Sequence, residues 1–179
     1  MNPQRIGKYA CLETERRFLL NELPEHLLEN STGWLITDRY IPNTRIRLRH
    51  MQSLSDDRNI YKLTQKYRAE HQDASETTIT NIYLTKIEYD LFSTLGAKLL
   101  RKRRYPYKIK DHTFSIDIFE GRYQGLILAE IEFEKIAEKD KFLLPSFAVK
   151  DITDDVFFTG GNLVNLTAEE FKEELSKQK

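Results

Sequence analysis

Along most of this chain hydrophobic and polar residues alternate one for one in short runs, the period of a β-strand with one apolar and one polar face. Such runs cover Cys11 to Leu19, Asp38 to His50, Asn59 to Tyr67, Thr77 to Leu84, Lys98 to Tyr107, Thr113 to Phe119 and Gly125 to Phe133. Clusters of turn-forming residues separate several of them, at Ser53 to Asp57, Glu70 to Glu76 and Glu120-Gly121-Arg122, so the strands are expected to follow one another as an antiparallel meander. Helical spacing is rarer. It predicts helices over Pro24 to Glu29, over Lys86 to Leu95 with Gly96 as the stop, and over Thr167 to Lys179, where Thr167 and Glu170 stand at capping-box distance.

Residues two apart in a strand share a face, and the polar faces here are charged in blocks. Glu13, Glu15 and Arg17 lie opposite Leu12, Thr14 and Phe18. Arg45, Arg47 and Arg49 line up against Ile46 and Leu48, while Lys62, Thr64, Lys66 and Arg68 oppose Tyr61, Leu63 and Tyr67. Lys102 and Arg104 repeat the basic pattern; Asp117, then Glu130, Glu132 and Glu134, supply an acidic counterpart. A solvated sheet face explains any one of these strands. Together they pose a problem, because like charges aligned along or across strands destabilise a sheet. A sheet closed into a barrel with its charged faces inward would let acids and bases meet across a lumen able to hold an anion with metal ions.

Composition narrows the function classes. The 179 residues are 40% hydrophobic and 31% charged, enough for one folded domain spanning 1–179, and no stretch rich in Gly, Ser or Pro marks a linker. Lys plus Arg number 28 and so do Asp plus Glu; with no net charge, a general grip on nucleic acid or on an anionic membrane is not expected. Cys11 is the only cysteine, which excludes an internal disulfide and a Cys-based zinc site and suits a reducing compartment. Residues Met1 to Cys11 include Arg5 and Lys8 but no apolar signal core, and the longest nearly apolar run, Gly125 to Ala129, is too short to span a bilayer. A cytoplasmic location is therefore expected. His26, His50, His71 and His112 are scattered without ligand spacing.

The charged pairs carry the chemistry. Glu13 with Glu15, and Glu130 with Glu132, set carboxylates one strand repeat apart, a spacing suited to a hard, oxygen-ligated cation such as Mg²⁺ or Mn²⁺. Arg and Lys from several strands can clamp phosphate oxygens. A P-loop is not supported, since Gly160-Gly161 is not followed by Lys-Ser or Lys-Thr. Trp34 and Tyr40 are candidates to receive an organic group and equally candidates for packing.

Several of these segments, in one order over about residues 10 to 166, resemble the CYTH domain of the triphosphate tunnel metalloenzymes. Glu13-Thr-Glu15-Arg-Arg17 is similar to that family's E-x-E-x-K signature, Arg45-Ile-Arg47 to its R-x-R strand, Leu63-Thr64-Gln65-Lys66 to L-T-x-K and Lys102-Arg-Arg104-Tyr105 to K-x-R-Y. Asp117-Ile-Phe119-Glu-Gly121, Gly125-Leu126, Ala129-Glu130-Ile-Glu132 and Asp151-Ile-Thr153-Asp154-Asp155 resemble its later segments. The resemblance implies a mainly β (α+β) fold, a closed eight-stranded antiparallel barrel forming a charged tunnel, with peripheral helices and a C-terminal helix. It also implies Glu13, Glu15, Glu130 and Glu132 as metal ligands and catalytic residues with Asp117 in the metal and water network. Arg17, Arg45, Arg47, Lys66, Lys102 and Arg104 would bind triphosphate. Two positions depart from the pattern: Arg17 stands for the signature Lys, and Asp151 stands where Glu is frequent and is left out of the metal set. Arg49 and Lys62 share the lumen parity without a motif match.

The activity so implied is metal-dependent hydrolysis of inorganic triphosphate, or a related small-molecule triphosphate, to phosphate and pyrophosphate or a diphosphate product. The alternatives are a class IV adenylate cyclase, a thiamine or nucleoside triphosphatase, and a non-catalytic polyphosphate- or nucleotide-binding module. Apolar outer strand faces also allow a homodimer. The C-terminal helix has two expected roles: to cover outer strand surface, or to close one end of the tunnel and bring Lys172, Lys177 or Lys179 toward bound phosphate.

Overall fold

A computed structural model describes residues 9–29, 32–67 and 75–178. Arg5, Lys8, Arg68, the turn segment from Glu70 to Ala74 and Lys179 lie outside them. The alternating runs form strands β1 (Cys11–Leu20), β2 (Trp34–Tyr40), β3 (Ile46–Ser53), β4 (Asn59–Tyr67), β5 (Glu76–Leu84), β6 (Lys98–Ile109), β7 (His112–Phe119) and β8 (Ile127–Glu132), with a short β9 (Lys150–Asp151). They pair in the order β5-β4-β3-β2-β6-β7-β8-β1, and antiparallel pairing of β1 with β5 closes the eight into a barrel. β5 leaves the edge of β1 after Thr14; β9 occupies that strand again at Phe18 and Leu19.

The single run expected from Asp38 to His50 is two strands. Pro42 has no N–H to offer a ladder and Asn43 takes a left-handed conformation (φ 60°), so the chain reverses between β2 and β3 and pairs Tyr40 with Arg47 and Asp38 with Arg49. Pro24 to Glu29 is not a helix: His26 has φ 61°, and the segment forms tight turns that bury Leu27. Helix α1 (Lys86–Ser93) starts at a full capping box between Thr85 and Glu88, and Arg39 donates to the Ser93 carbonyl at its far end (2.7 Å). The sequence reading passed over the short α2 (Ile136–Lys141) and α3 (Gly160–Leu163). In α4 (Ala168–Gln178), Thr167 and Glu170 cap each other as their spacing predicts.

Strand parity sorts the apolar residues into two clusters. Phe18, Leu20, Ile116, Ala129 and Ile131 face outward, where Leu27, Phe142 and Phe147 pack on them. Leu19, Leu100, Phe119 and Leu128 share the inward faces of Arg17, Lys102, Asp117 and Glu130, and they pack with Phe158, Leu163, Phe171 and Leu175. The C-terminal segment thus fills one end of the barrel interior with apolar side chains, and α4 is part of that plug. Among the described residues no helix is long and apolar enough to cross a membrane.

Candidate functional site

Beyond the plug the inward faces turn polar and enclose a cavity of about 570 Å³. Eight cations and five carboxylates line it: Arg17, Arg45, Arg47, Arg49, Lys62, Lys66, Lys102 and Arg104, with Glu13, Glu15, Asp38, Glu130 and Glu132. The four expected metal ligands and the six expected triphosphate-binding residues are all in this wall. Asp117 is placed differently, fully buried behind the lining, where it pairs with both Lys102 and Arg104. Asp151 is off the cavity, bonded to Arg16 and to Thr153.

Four of the five carboxylates gather on β1 and β8, with Asp38 on β2 the exception. Glu13 and Glu15 on β1 adjoin Glu130 and Glu132 on β8, with Glu15 directly opposite Glu132 and Arg17 opposite Glu130. Arg47 and Arg49 on β3 stand four strands from β8 in either direction round the barrel, so an acidic wall faces a basic one. Burial, and then the nearby Glu130 carboxylate, push Glu15 above the usual carboxylate range, with Lys66 and Arg17 only partly opposing. Glu130 is shifted the other way: burial would raise it too, but Arg104, bonded to it, and Lys102 outweigh burial and hold it well below that range. Lys66 lies 3.5 Å from Glu13. Burial pushes the Lys102 ammonium down, offset in part by Asp117.

Two arginines have separate duties. Arg17 donates to the carbonyls of Thr153 (2.9 Å) and Phe158 (3.4 Å), tying β1 to the strap that carries the plug. Arg47 donates to Thr64, and its Nε is buried with no hydrogen-bond partner among the described residues. A buried guanidinium N–H in a polar cavity is costly unless an acceptor reaches it, and an anion in the cavity would supply one. The carboxylate set in turn fits a divalent cation, since the Glu130 and Glu13 carboxylates press on Glu15 as like charges. Among the described residues no three His, Cys, Asp or Glu side chains converge tightly enough to enclose an ion unaided; a hard cation here would complete its shell with water and ligand oxygens, as Mg²⁺ usually does.

Sequence reasoning missed Asp38, Asn81 and, from the strap that runs from Ile152 to Leu166, Val156 and Phe158 to Gly161, all in the cavity wall. Asp38 shares parity with Ile36 and Tyr40, so its face reads as apolar; strand pairing alone sets it beside Arg49. Trp34 is off the cavity with the Arg58 guanidinium over its ring, and Tyr40 is in the wall with its hydroxyl against Gly160. Lys172 and Lys177 are exposed and not in the wall.

No family model matches the sequence. Over 147 residues the chain is 28% identical to an inorganic triphosphatase of Nitrosomonas europaea, a stretch covering 80% of this chain and 90% of that protein. Over 75 residues it is 32% identical to an inorganic triphosphatase of Acetivibrio thermocellus, covering 42% of this chain and 47% of that protein, about half the relative's length. The crystal structure of the inorganic triphosphatase NE1496 shares the fold with a TM-score of 0.59 at 23% identity, over 87% of this chain and 95% of that one. The PH1819 protein from Pyrococcus horikoshii does so with a TM-score of 0.50 at 14% identity, over 91% and 99%.

Proposed function

We propose that this barrel is a triphosphate tunnel enzyme of the CYTH type, hydrolysing inorganic triphosphate to phosphate and pyrophosphate with a divalent metal, Mg²⁺ or Mn²⁺. The observation that carries the reading is the opposition of an acidic wall and a basic wall inside one cavity, with the Arg47 Nε held ready for an acceptor. The two relatives named inorganic triphosphatase support it.

In this reading Arg45, Arg47, Lys66, Lys102 and Arg104 bind the phosphate oxygens and offset the charge that gathers on them as the bond breaks. Water adds to a terminal phosphorus, the anhydride P–O bond breaks, and the bridging oxygen leaves with pyrophosphate. Glu13, Glu15, Glu130 and Glu132 would hold the metal, which when bound supplies Lewis-acid charge to phosphate oxygens and acidifies water. Asp117 keeps Lys102 and Arg104 turned toward the substrate, and the apolar plug excludes water from one end. Arg17 in place of the signature Lys is spent largely on the strap. Of the two aromatic residues considered for an organic group, Trp34 is outside the wall and Tyr40 is pressed on Gly160; Tyr67 lines the cavity with the Arg45 guanidinium over its ring.

The test is phosphate release from tripolyphosphate, ATP and thiamine triphosphate, each with Mg²⁺, Mn²⁺ or EDTA. Turnover of tripolyphosphate well above the organic triphosphates, abolished by EDTA, is expected. Preference for an organic triphosphate replaces the substrate, and tight binding without release of phosphate replaces the enzyme with a binding module.

A further inference from the structure

Asp38 stands among cations, yet no part of the proposed chemistry uses it. It is 1% exposed, so it is inaccessible to solvent, and it belongs to a β2 face otherwise formed by Trp34, Ile36 and Tyr40. Its Oδ1 accepts Arg49 Nε at 2.6 Å and its Oδ2 accepts Arg49 Nη2 at 2.7 Å, a fork-to-fork pair across the β2–β3 ladder. The same Oδ1 lies 3.7 Å from Arg47 Nε, attracting that guanidinium without satisfying it. Burial would raise the Asp38 carboxyl, but Arg49 and then Arg47 outweigh it and hold the group ionised far below the ordinary range.

A carboxylate gripping Arg49 by Nε and Nη2 fixes the guanidinium plane and leaves Nη1 and the outer Nη2 hydrogen for something else. It also sits between two arginines spaced two residues apart on one strand, which would otherwise repel and splay. Asp117 stands in the same relation to Lys102 and Arg104 on the neighbouring wall. From this geometry we infer that Asp38 is a positioning residue for the anion site, acting through Arg49 and Arg47, and that Arg49 is a phosphate-binding residue of the same rank as Arg47. The inference rests on the proposed triphosphate reading.

Charge alone and positioning predict opposite signs. Asp38→Asn removes a negative charge from a cluster of cations, so by Coulomb's law alone it binds a polyanion more tightly. If Asp38 positions the arginines, the variant binds more weakly. The experiment measures the affinity of a non-hydrolysable imido analogue of tripolyphosphate by calorimetry with Mg²⁺, together with KM and kcat for tripolyphosphate, for wild type, Asp38→Asn, Arg49→Lys and the double variant. The expected result is a roughly tenfold weakening for each single variant, the scale of one lost charged hydrogen bond, carried mainly in KM, and a double variant no weaker than either single one. Tighter binding by Asp38→Asn, or additive losses in the double variant, overturns the inference while wild-type turnover of tripolyphosphate keeps the functional reading. Failure of the wild type to bind tripolyphosphate overturns both. Should Asp38→Asn not fold, Arg49→Lys decides, because it keeps the charge and removes the fork: wild-type affinity in that variant overturns the inference.

Discussion

Glu15 and Glu132 are register partners across β1 and β8, and like charges placed directly opposite destabilise a sheet. A cation bound between them would relieve that repulsion. Replacing Glu132 by Gln keeps the volume and removes the repulsion, so Glu132→Gln is expected to lose most tripolyphosphate turnover while its melting temperature stays level or rises slightly. Calorimetric melting beside a phosphate-release assay checks this. Retained turnover with unchanged metal dependence would falsify the assignment of Glu132 to the metal wall. These carboxylates were readable in the sequence because strand parity alone puts Glu13, Glu15, Glu130 and Glu132 on shared faces, and the inward Arg and Lys rows follow the same rule. Asp38 was not readable, because its meaning comes from Arg49 on another strand and no spacing along the chain connects them. Asp117 had the right face but not the right depth. Its two cationic partners shut it off from the cavity, which only their packed side chains reveal.

At the level of elements, alternation found most strands of the barrel but left Trp34 to Thr37 of β2 outside every run, and it failed where the chain has no period. The run from Asp38 to His50 looked continuous because its charges keep step across the turn, although Pro42 and Asn43 break it. The strap from Ile152 to Leu166 has neither period 2 nor period 3.6, being short helical turns joined by capped bends such as Asp155 accepting from the Phe157 amide. Its seat is nonetheless sharply defined. A Cβ on Gly160 would overlap the Tyr40 hydroxyl, and a phenol ring end held in a buried wall yields less readily than a flexible chain. Gly160→Ala is therefore expected to lower stability by about 1–3 kcal/mol, the usual cost of overpacking. Pairing it with Tyr40→Phe, which removes the clashing oxygen, should restore a substantial part of the loss. Equal destabilisation with and without the hydroxyl would place the strain elsewhere in the strap.

On the scale of the whole molecule, the barrel has two apolar clusters with different meanings. One lies outside the strands, under Phe142 and Phe147; the other lies inside, continuous from Leu19 and Leu128 through Phe158, which is itself in the cavity wall, to Phe171 and Leu175 of α4. The C-terminal helix is therefore joined to the polar cavity through Phe158, although neither of its described lysines, Lys172 and Lys177, reaches the wall. Truncating a large buried aromatic costs about 3–5 kcal/mol in either cluster, so Phe114→Ala outside and Phe171→Ala inside should depress the melting temperature alike. Their kinetics should part. Phe171 packs edge-on to Tyr123 and parallel to Phe157, the residue before Phe158, and a cavity there lets the strap and the Arg17 guanidinium bonded to it shift against the anion site. In enzyme still folded at the assay temperature, Phe171→Ala is expected to raise KM for tripolyphosphate several-fold, while Phe114→Ala leaves KM near the wild-type value. If both variants melt lower and neither moves KM, the interior cluster only stabilises the barrel, and α4 acts as a cover with no influence on the tunnel.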